Sequence, residues 1–421
     1  MHEEKLILIE KIGLTLFLAS ALLVAGWITR VLSTLFNLYK AGIPILFPSL
    51  EGLWGFLDGN TLHLFDYLSI LLRKYDGVVG WFSPVGKPFV IISDESVLSQ
   101  LIVQNQSKLT KHHAFGILEI FRKTHLHSTP DGKGDAWKVV HRIASKFPIL
   151  DKELQGTMRQ LLERYMKTVP GIDDPNLNSL VDFAEYTRQF YWDFVLLLVT
   201  GEIGNESLGR LYQHAWRACI KALCKPGAHM FQSFASFPLP VMREYKSLTK
   251  QLRSEIMKRI DAKNSPPWTV LSLIQNEMSR DDQLEVAMEF LFTGASSVTT
   301  SLIWLMWHIS RNDTLQDHIR HEAQSIIKSR GSNTFPSESD NNWLNDDEVV
   351  HCTILESALR ETLRLYSPIH IGRLSLEEIT LKTNKGQIVT IPKGTDLFCN
   401  MWFIHRNESK FFLKKLLYFW L

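Results

Sequence analysis

The sequence predicts a mainly helical protein with small β-sheets, an α+β arrangement, preceded by one N-terminal transmembrane helix. Three observations carry that expectation. Apolar residues recur at spacings of three and four over residues 152–167, 180–199, 208–223, 242–261, 284–309 and 314–329, the period of helices with one buried face. Two short segments, 78–93 and 379–394, alternate instead around turn residues, as hairpins do. Residues 12–29 read IGLTLFLASALLVAGWIT and carry no charge.

That apolar run is about 18 residues long, just enough to cross a hydrocarbon core as a helix. A signal peptide would open on a basic stretch, whereas here Glu3, Glu4, Lys5, Glu10 and Lys11 precede the run. A retained single-pass anchor is the better reading, with Trp27 at the membrane interface. Arg30 and Lys40 follow, so the positive-inside bias leaves the main body in the cytosol. Residues 1–30 are then the luminal tip and anchor, and 31–50, bearing Pro44 and Pro48, a stiff hinge. Residues 51–410 read as one large domain without repeats, and 411–421 as a divergent apolar tail.

In the body, the first hairpin turns around Pro84 and Gly86, and the second at Asn384, Lys385 and Gly386. Ser265, Pro266 and Pro267 break one helical connection, and 336–348 is a polar loop ending in capping residues. Residues 231–240 are apolar and read as a packed or membrane-dipping loop, with an entry channel as the other reading. Composition narrows the functions. A chain of 421 residues that is 45% hydrophobic and 21% charged buries a large core. Lys and Arg number 46 against 44 Asp and Glu, which argues against a nucleic-acid binder. Four cysteines, Cys219, Cys224, Cys352 and Cys399, form no CxxC or zinc spacing and suit a reducing compartment.

Three segments could carry chemistry. FLFTGASSVTTSLIW (290–304) is an apolar helix holding Gly294 among hydroxyl residues; the glycine opens space for a flat ligand or, read alone, for close helix packing with hydroxyls bonded back to i−4 carbonyls. ILESALRETLRLYSP (354–368) sets Glu361 and Arg364 three apart, where a guanidinium fork grips a carboxylate, and adds Glu356 with Arg360 as an exposed pair. Asp135, Ala136 and Trp137 lead into KVVHRIASKF, where an indole N–H and cations could hold an anion or simply form an amphipathic helix. The P-loop, HExxH, GxSxG and GxGxxG signatures are missing.

In this order, the anchor, the proline hinge, the Trp137 helix, FLFTGASS, ETLRLYSP and the IPKGT segment through His405 and Arg406 resemble the haem-thiolate monooxygenases, the cytochrome P-450 family in its membrane-anchored microsomal form. The resemblance covers most of the chain. It implies haem b, a membrane-bound NADPH reductase, a place in the endoplasmic reticulum membrane, and oxidation of an apolar small molecule such as a sterol, fatty acid, terpenoid or other secondary metabolite. It places Thr293, Gly294, Ser296 and Ser297 on the oxygen-side helix, with Ser297 at the alcohol position and Ser296 where the family carries an acid. Thr299 or Thr300 in a shifted register is the alternative. Glu361 and Arg364 match the structural ExxR pair. Trp137, His141, Arg142 and Arg373 match the haem-propionate positions, with His141 in place of a basic residue.

The family's proline- and arginine-bearing segment and its cysteine loop should follow IPKGT. Here the chain reads ESKFFLKKLLYFWL after Asn407, and Cys399 lies too early to ligate iron. The expectation is a fold lacking the C-terminal cysteine-loop region, with no metal ligand, haem bound poorly or not at all, and Arg364 left short of a partner. The other expectation is a non-catalytic, membrane-anchored binder of an apolar ligand or a partner.

Overall fold

A computed structural model of the chain describes residues 2–46, 72, 77–81, 88–111, 138, 141–142, 145, 152–168, 182–202, 205–223, 239–329, 344, 346–368 and 371–406. Two compact units emerge, each drawn from separate stretches of the chain. The 51–410 stretch contributes to both. The first comprises 1–117, 223–237 and 370–404, and the second 118–222, 238–369 and 405–421.

The first unit begins with α1, His2–Lys40, a single helix of 39 residues. It runs well past the uncharged window. Propensity explains the extension, because residues 31–40 contain no proline or glycine, and Gly42, at φ +73°, followed by Pro44, supplies the stop. A six-stranded sheet follows, formed by β1 (Ile45–Leu46), β2 (Val78–Trp81), β3 (Phe89–Ile92), β4 (Leu109–Lys111), β5 (Ile371–Ser375) and β8 (Asp396–Cys399) in the order β1-β2-β3-β8-β5-β4. β6 (Ile379–Lys382) and β7 (Ile388–Ile391) form a separate hairpin. The turn signals placed both hairpins, and Gly386 takes the positive φ that its turn requires. Between β3 and β4 lie α2 (Glu95–Ser99), a π turn and a 3-10 turn.

Leu38, Ile43, Val78, Val90, Ile92, Val389, Ile391 and Leu397 form one buried core, so the end of α1 belongs to this unit. Over its described part, the expected hinge is helix to Lys40 and then chain bonded into the sheet: Gly80 N–H donates to Pro44 O at 2.8 Å and Thr390 N–H to Ala41 O at 3.2 Å.

The second unit is helical: α3 (Lys152–Thr168), α4 (Phe183–Thr200), α5 (Glu206–Leu223), α6 (Pro240–Ala262), α7 (Val270–Ile274), α8 (Arg280–Ser310), α9 (Asp313–Ser329), α10 (Asp346–Val349) and α11 (Thr353–Leu365). The six helices foreseen from periodicity all form, extended by zero to four residues at either end except where α4 starts three later, at Phe183. That start is set by Asp182, whose carboxylate accepts from Glu185 N–H at 3.0 Å. Long α8 lies against α4, α6 and α11. A last turn, α12 (Met401–His405), follows β8. Short strands β1, β4, β5 and β8 escaped the sequence reading, as did α2, α7, α10 and α12. Cys352 occupies the position just before α11, with no side-chain bond to the helix N-terminus. The Pro84–Gly86 turn, residues 47–50, 231–238, 336–343 and 411–421, and Cys224 lie outside the described residues.

Candidate functional site

Helix α8 carries the glycine and hydroxyl segment. Its start is fixed by Ser279, whose hydroxyl accepts from Asp282 N–H, with Asp281 and Asp282 in the first turn favoured by the helix dipole. Thr293 Oγ1 donates to Glu289 O at 2.7 Å, Thr300 Oγ1 to Ser296 O at 2.8 Å and Ser301 Oγ to Ser297 O at 2.9 Å. These hydroxyls satisfy themselves on i−4 carbonyls, the bland alternative for this motif. A Cβ on Gly294 would touch Val195 Cγ1 at 3.4 Å, so the missing side chain lets α8 approach α4. Ser296 and Ser297 are half-buried on the same helix. A serine hydroxyl can pass a proton along but is not a source of one near neutral pH.

Two features of α8 were not singled out from the sequence. Glu289 is fully buried, and Tyr212 of α5, also fully buried, donates its hydroxyl to Leu291 O. Burial pushes the Tyr212 phenol well above its ordinary range, so it stays a neutral donor. A glutamate four residues before Thr293 on an otherwise apolar stretch was the readable signal.

Helix α11 carries the Glu361–Arg364 pair, and both side chains are mostly buried. Arg364 Nε donates to Glu361 Oε2 at 2.7 Å and Nη2 to Oε1 at 2.5 Å, a bidentate fork. Its third nitrogen, Nη1, donates to His405 O, and His405 Nδ1 returns a contact to Arg364 O at 2.9 Å. The expectation that Arg364 lacks a partner is therefore corrected. A backbone carbonyl 41 residues away completes the guanidinium. Glu356 and Arg360 form the exposed pair foreseen.

Beside the clasp, Trp304 stacks on Tyr366 with centroids 3.9 Å apart, His308 lies 5.3 Å from the same ring, and the Arg406 guanidinium sits 5.1 Å over it. Burial lowers the His308 pKa, with Arg406 adding and Glu361 opposing. Burial likewise lowers that of His405, where the Arg364 carbonyl opposes and the Arg364 and Arg406 charges add. Both rings are held neutral near pH 7.

The remaining expected residues fall as follows. Trp137 lies outside the described residues. His141 and Arg142 are exposed on a helical stretch, and Arg142 Nη2 is taken by Glu277 at 2.6 Å. Arg373, on β5 in the first unit, donates Nη1 to Gly372 O at 2.8 Å. Cys219, Cys352 and Cys399 are buried and form no disulfide. Burial pushes Cys399 up to about 12 against the opposing charge of Arg373, and burial with Glu322 raises Cys352. A thiolate ligand has to be deprotonated, and both of these thiols are held protonated. Among the described residues no group of His, Cys, Asp or Glu is placed to hold a metal. Among the described residues, neither of these two thiols is in the form that ligates iron.

A long helix opened by a glycine among hydroxyls, crossed by helices and followed by a buried helix-borne Glu–Arg fork, in a chain that also forms a mixed sheet, defines the fold class of the haem monooxygenases. The Cytochrome P450 family pattern matches residues 48–413. The chain belongs to the cytochrome P450 family. Cytokinin hydroxylase of Arabidopsis thaliana is 28% identical over 298 residues, 66% of this chain and 54% of that protein. Cytochrome P450 4c21 of Blattella germanica is 30% identical over 384 residues, 82% of this chain and 71% of that protein. Leukotriene-B4 omega-hydroxylase 3 of Mus musculus is 28% identical over 134 residues, 32% of this chain and 23% of that protein. The chain thus spans about half the length of the first of these relatives. Among solved structures, retinoic acid-bound cyanobacterial CYP120A1 superposes with a TM-score of 0.62 at 14% identity, covering 82% of this chain and 74% of that one. That likeness shows the fold.

Proposed function

We propose that the protein acts as a haem-dependent monooxygenase on an apolar small molecule, a sterol, fatty acid, terpenoid or related metabolite, with electrons from a membrane-bound NADPH reductase. The observation that carries this reading is the forked Glu361–Arg364 clasp in a chain matched to the family over residues 48–413. Relatives named as hydroxylases support oxygen insertion as the reaction type. In this reading Ser297 passes protons, with Ser296, Thr293 and Gly294 shaping the helix around it. Trp137, His141, Arg142 and Arg373 are the propionate contacts, and Arg142 has to exchange Glu277 for that role. Haem, when bound, supplies the oxygen-activating centre. α1 anchors the chain once in the endoplasmic reticulum membrane with the main body cytosolic, an assignment supported by its length and apolar composition.

The chain of 421 residues by itself is further proposed to take up haem weakly. The support is the protonated, buried state of Cys352 and Cys399. Expression of the full chain with a haem precursor, followed by the spectrum of the reduced, carbon-monoxide-bound state, tests both claims. The expected result is little or no thiolate-type Soret band. A strong band overturns weak uptake and supports the monooxygenase reading directly. A folded, haem-free chain that holds apolar ligands without turnover replaces that reading with a non-catalytic, membrane-anchored binder.

A further inference from the structure

Strand β6 pairs with β7 on one side only, and its other edge is closed by side chains rather than by a strand. Successive residues of a strand turn their N–H and C=O groups to opposite edges. Thr383 N–H donates to Gln387 O at 2.8 Å on the β7 side, so Ile379 and Leu381 bond to that side too. Thr380 and Lys382 therefore present their backbone groups to the outer edge. An edge of this kind is a template for another strand.

Gln100 occupies part of that template. From the turn after α2, its Nε2 donates to Lys382 O at 2.7 Å, while its Oε1 accepts from Lys382 N–H at 3.1 Å. These two bonds reproduce the pair that a residue of a neighbouring antiparallel strand would exchange with Lys382. The Ser96 hydroxyl adds a longer contact to Lys382 O at 3.4 Å, and Asp94 accepts from Asn384 N–H at 3.0 Å. Thr380 is left as the outward residue whose backbone has no bond on that edge among the described residues.

The sequence of the edge identifies its complement. Residues 378–382 read EITLK. Laid antiparallel on a second copy with Thr380 opposite Thr380, Glu378 of each copy falls opposite Lys382 of the other, and Ile379 opposite Leu381. Glu378, Thr380 and Lys382 are exposed on one face of the strand, and Ile379 and Leu381 are buried on the other. Opposite charges and paired threonines directly across from each other stabilise a strand pair, whereas like charges oppose it. The one antiparallel register that forms both ion pairs is thus also the register centred on the unbonded Thr380. The chain bends at Leu376 and Glu377, so a partner strand turns off before it would meet Asp94.

We propose that the outer edge of β6 is a self-association edge for a second copy of this chain, held closed by Gln100 standing in for the missing strand. With the Gln100 amide seated the edge is blocked; when it leaves, β6 pairs with β6 through Thr380.

Disulfide trapping of the full chain in detergent tests this. Residues opposite each other in a hydrogen-bonded antiparallel pair have Cα atoms about 5.5 Å apart, within the span of a disulfide, so Thr380→Cys reports the pairing. Oxidation with copper phenanthroline is followed on non-reducing gels, with the parent chain setting the background from its own cysteines. Thr380→Cys alone should give little covalent dimer. Adding Gln100→Ala should raise the yield about fivefold or more, since two bonds that close the edge are lost. Lys382→Glu on top should abolish the gain, and Glu378→Lys added to that should restore it. Where circular dichroism shows the alanine variant misfolded, Gln100→Glu takes its place: it keeps the side-chain length, sets a carboxylate against Lys382 O at neutral pH, and should open the edge in the same way. No gain from either Gln100 change, or a gain indifferent to the charge reversal, overturns the proposal. A high yield with Gln100 intact overturns its part as the closing group.

Discussion

Replacing Arg364 by alanine isolates the clasp that joins α11 to the turn at His405. Three donated bonds disappear together: the two to Glu361, at 2.7 and 2.5 Å, and the one to His405 O. Glu361, only 16% exposed in its side chain, is left as an uncompensated carboxylate. Removing one partner of a buried pair costs about 3–5 kcal/mol. The residual solvent access here scales that down to about 2–3 kcal/mol, because the stranded carboxylate recovers part of its hydration. For a domain of this size such a loss lowers Tm by about 5 °C. Circular dichroism melts of the full chain in one detergent provide the assay. Glu361→Ala alone should cost a similar amount, and the double variant Glu361→Ala with Arg364→Ala less than the sum, since no orphan charge remains. Arg364→Lys keeps the charge but not the fork and should fall between. A Tm for Arg364→Ala within about 1 °C of the parent, or strict additivity in the cycle, refutes the reasoning.

Two further outcomes follow from the same unit. His308 and His405 have pKa values below the ordinary histidine range in the folded chain, so the unfolded chain binds more protons in mild acid. Their contribution to stability is complete above about pH 6.5 and is lost as pH falls from there toward the folded values; melts between pH 7.5 and 5.5 should decline, and His308→Phe with His405→Asn should flatten the decline, whereas an unchanged slope counts against the assignment. Gly201 ends α4 at φ +81°, and a Cβ there would lie 2.4 Å from Pro266 Cδ. Gly201→Ala should therefore destabilise by about 1–3 kcal/mol in urea unfolding, and a neutral result would show that the Pro266 loop yields freely.

What was legible in the sequence divides along the range of the interaction. Helices α3 to α6, α8, α9 and α11 showed through because an amphipathic stripe is repeated within each helix, so the signal is local and redundant. Strands β4, β5 and β8 are three to five residues each, and their pairing joins residues near 110 to residues near 373 and 397. Such short runs hold too few alternations to declare themselves. The Glu361–Arg364 fork was visible at its spacing of three, but its third member was not, since a backbone carbonyl at His405 has no residue type to betray it. For Gly294 the sequence left two uses open, and Val195 of α4 shows one of them occupied.

The end of α1 shows how a local rule stops short. Arg30 closes the uncharged window, so hydropathy ends the anchor there, yet the backbone has no reason to leave the helix before Gly42. Helix continuation is governed by propensity, and residues 31–40 supply it. Membrane depth is governed instead by the balance between one charge and the apolar surface around it. Those two criteria separate at Arg30, and only the structure reveals that the ten residues beyond it present Leu38 to the core of the first unit and Leu32, Phe36 and Tyr39 away from it. A helix that buries Leu38 in the core and leaves Leu32, Phe36 and Tyr39 exposed belongs to the body of the first unit at its C-terminal end. The direction of α1 is therefore fixed relative to the strands against which Leu38 is packed.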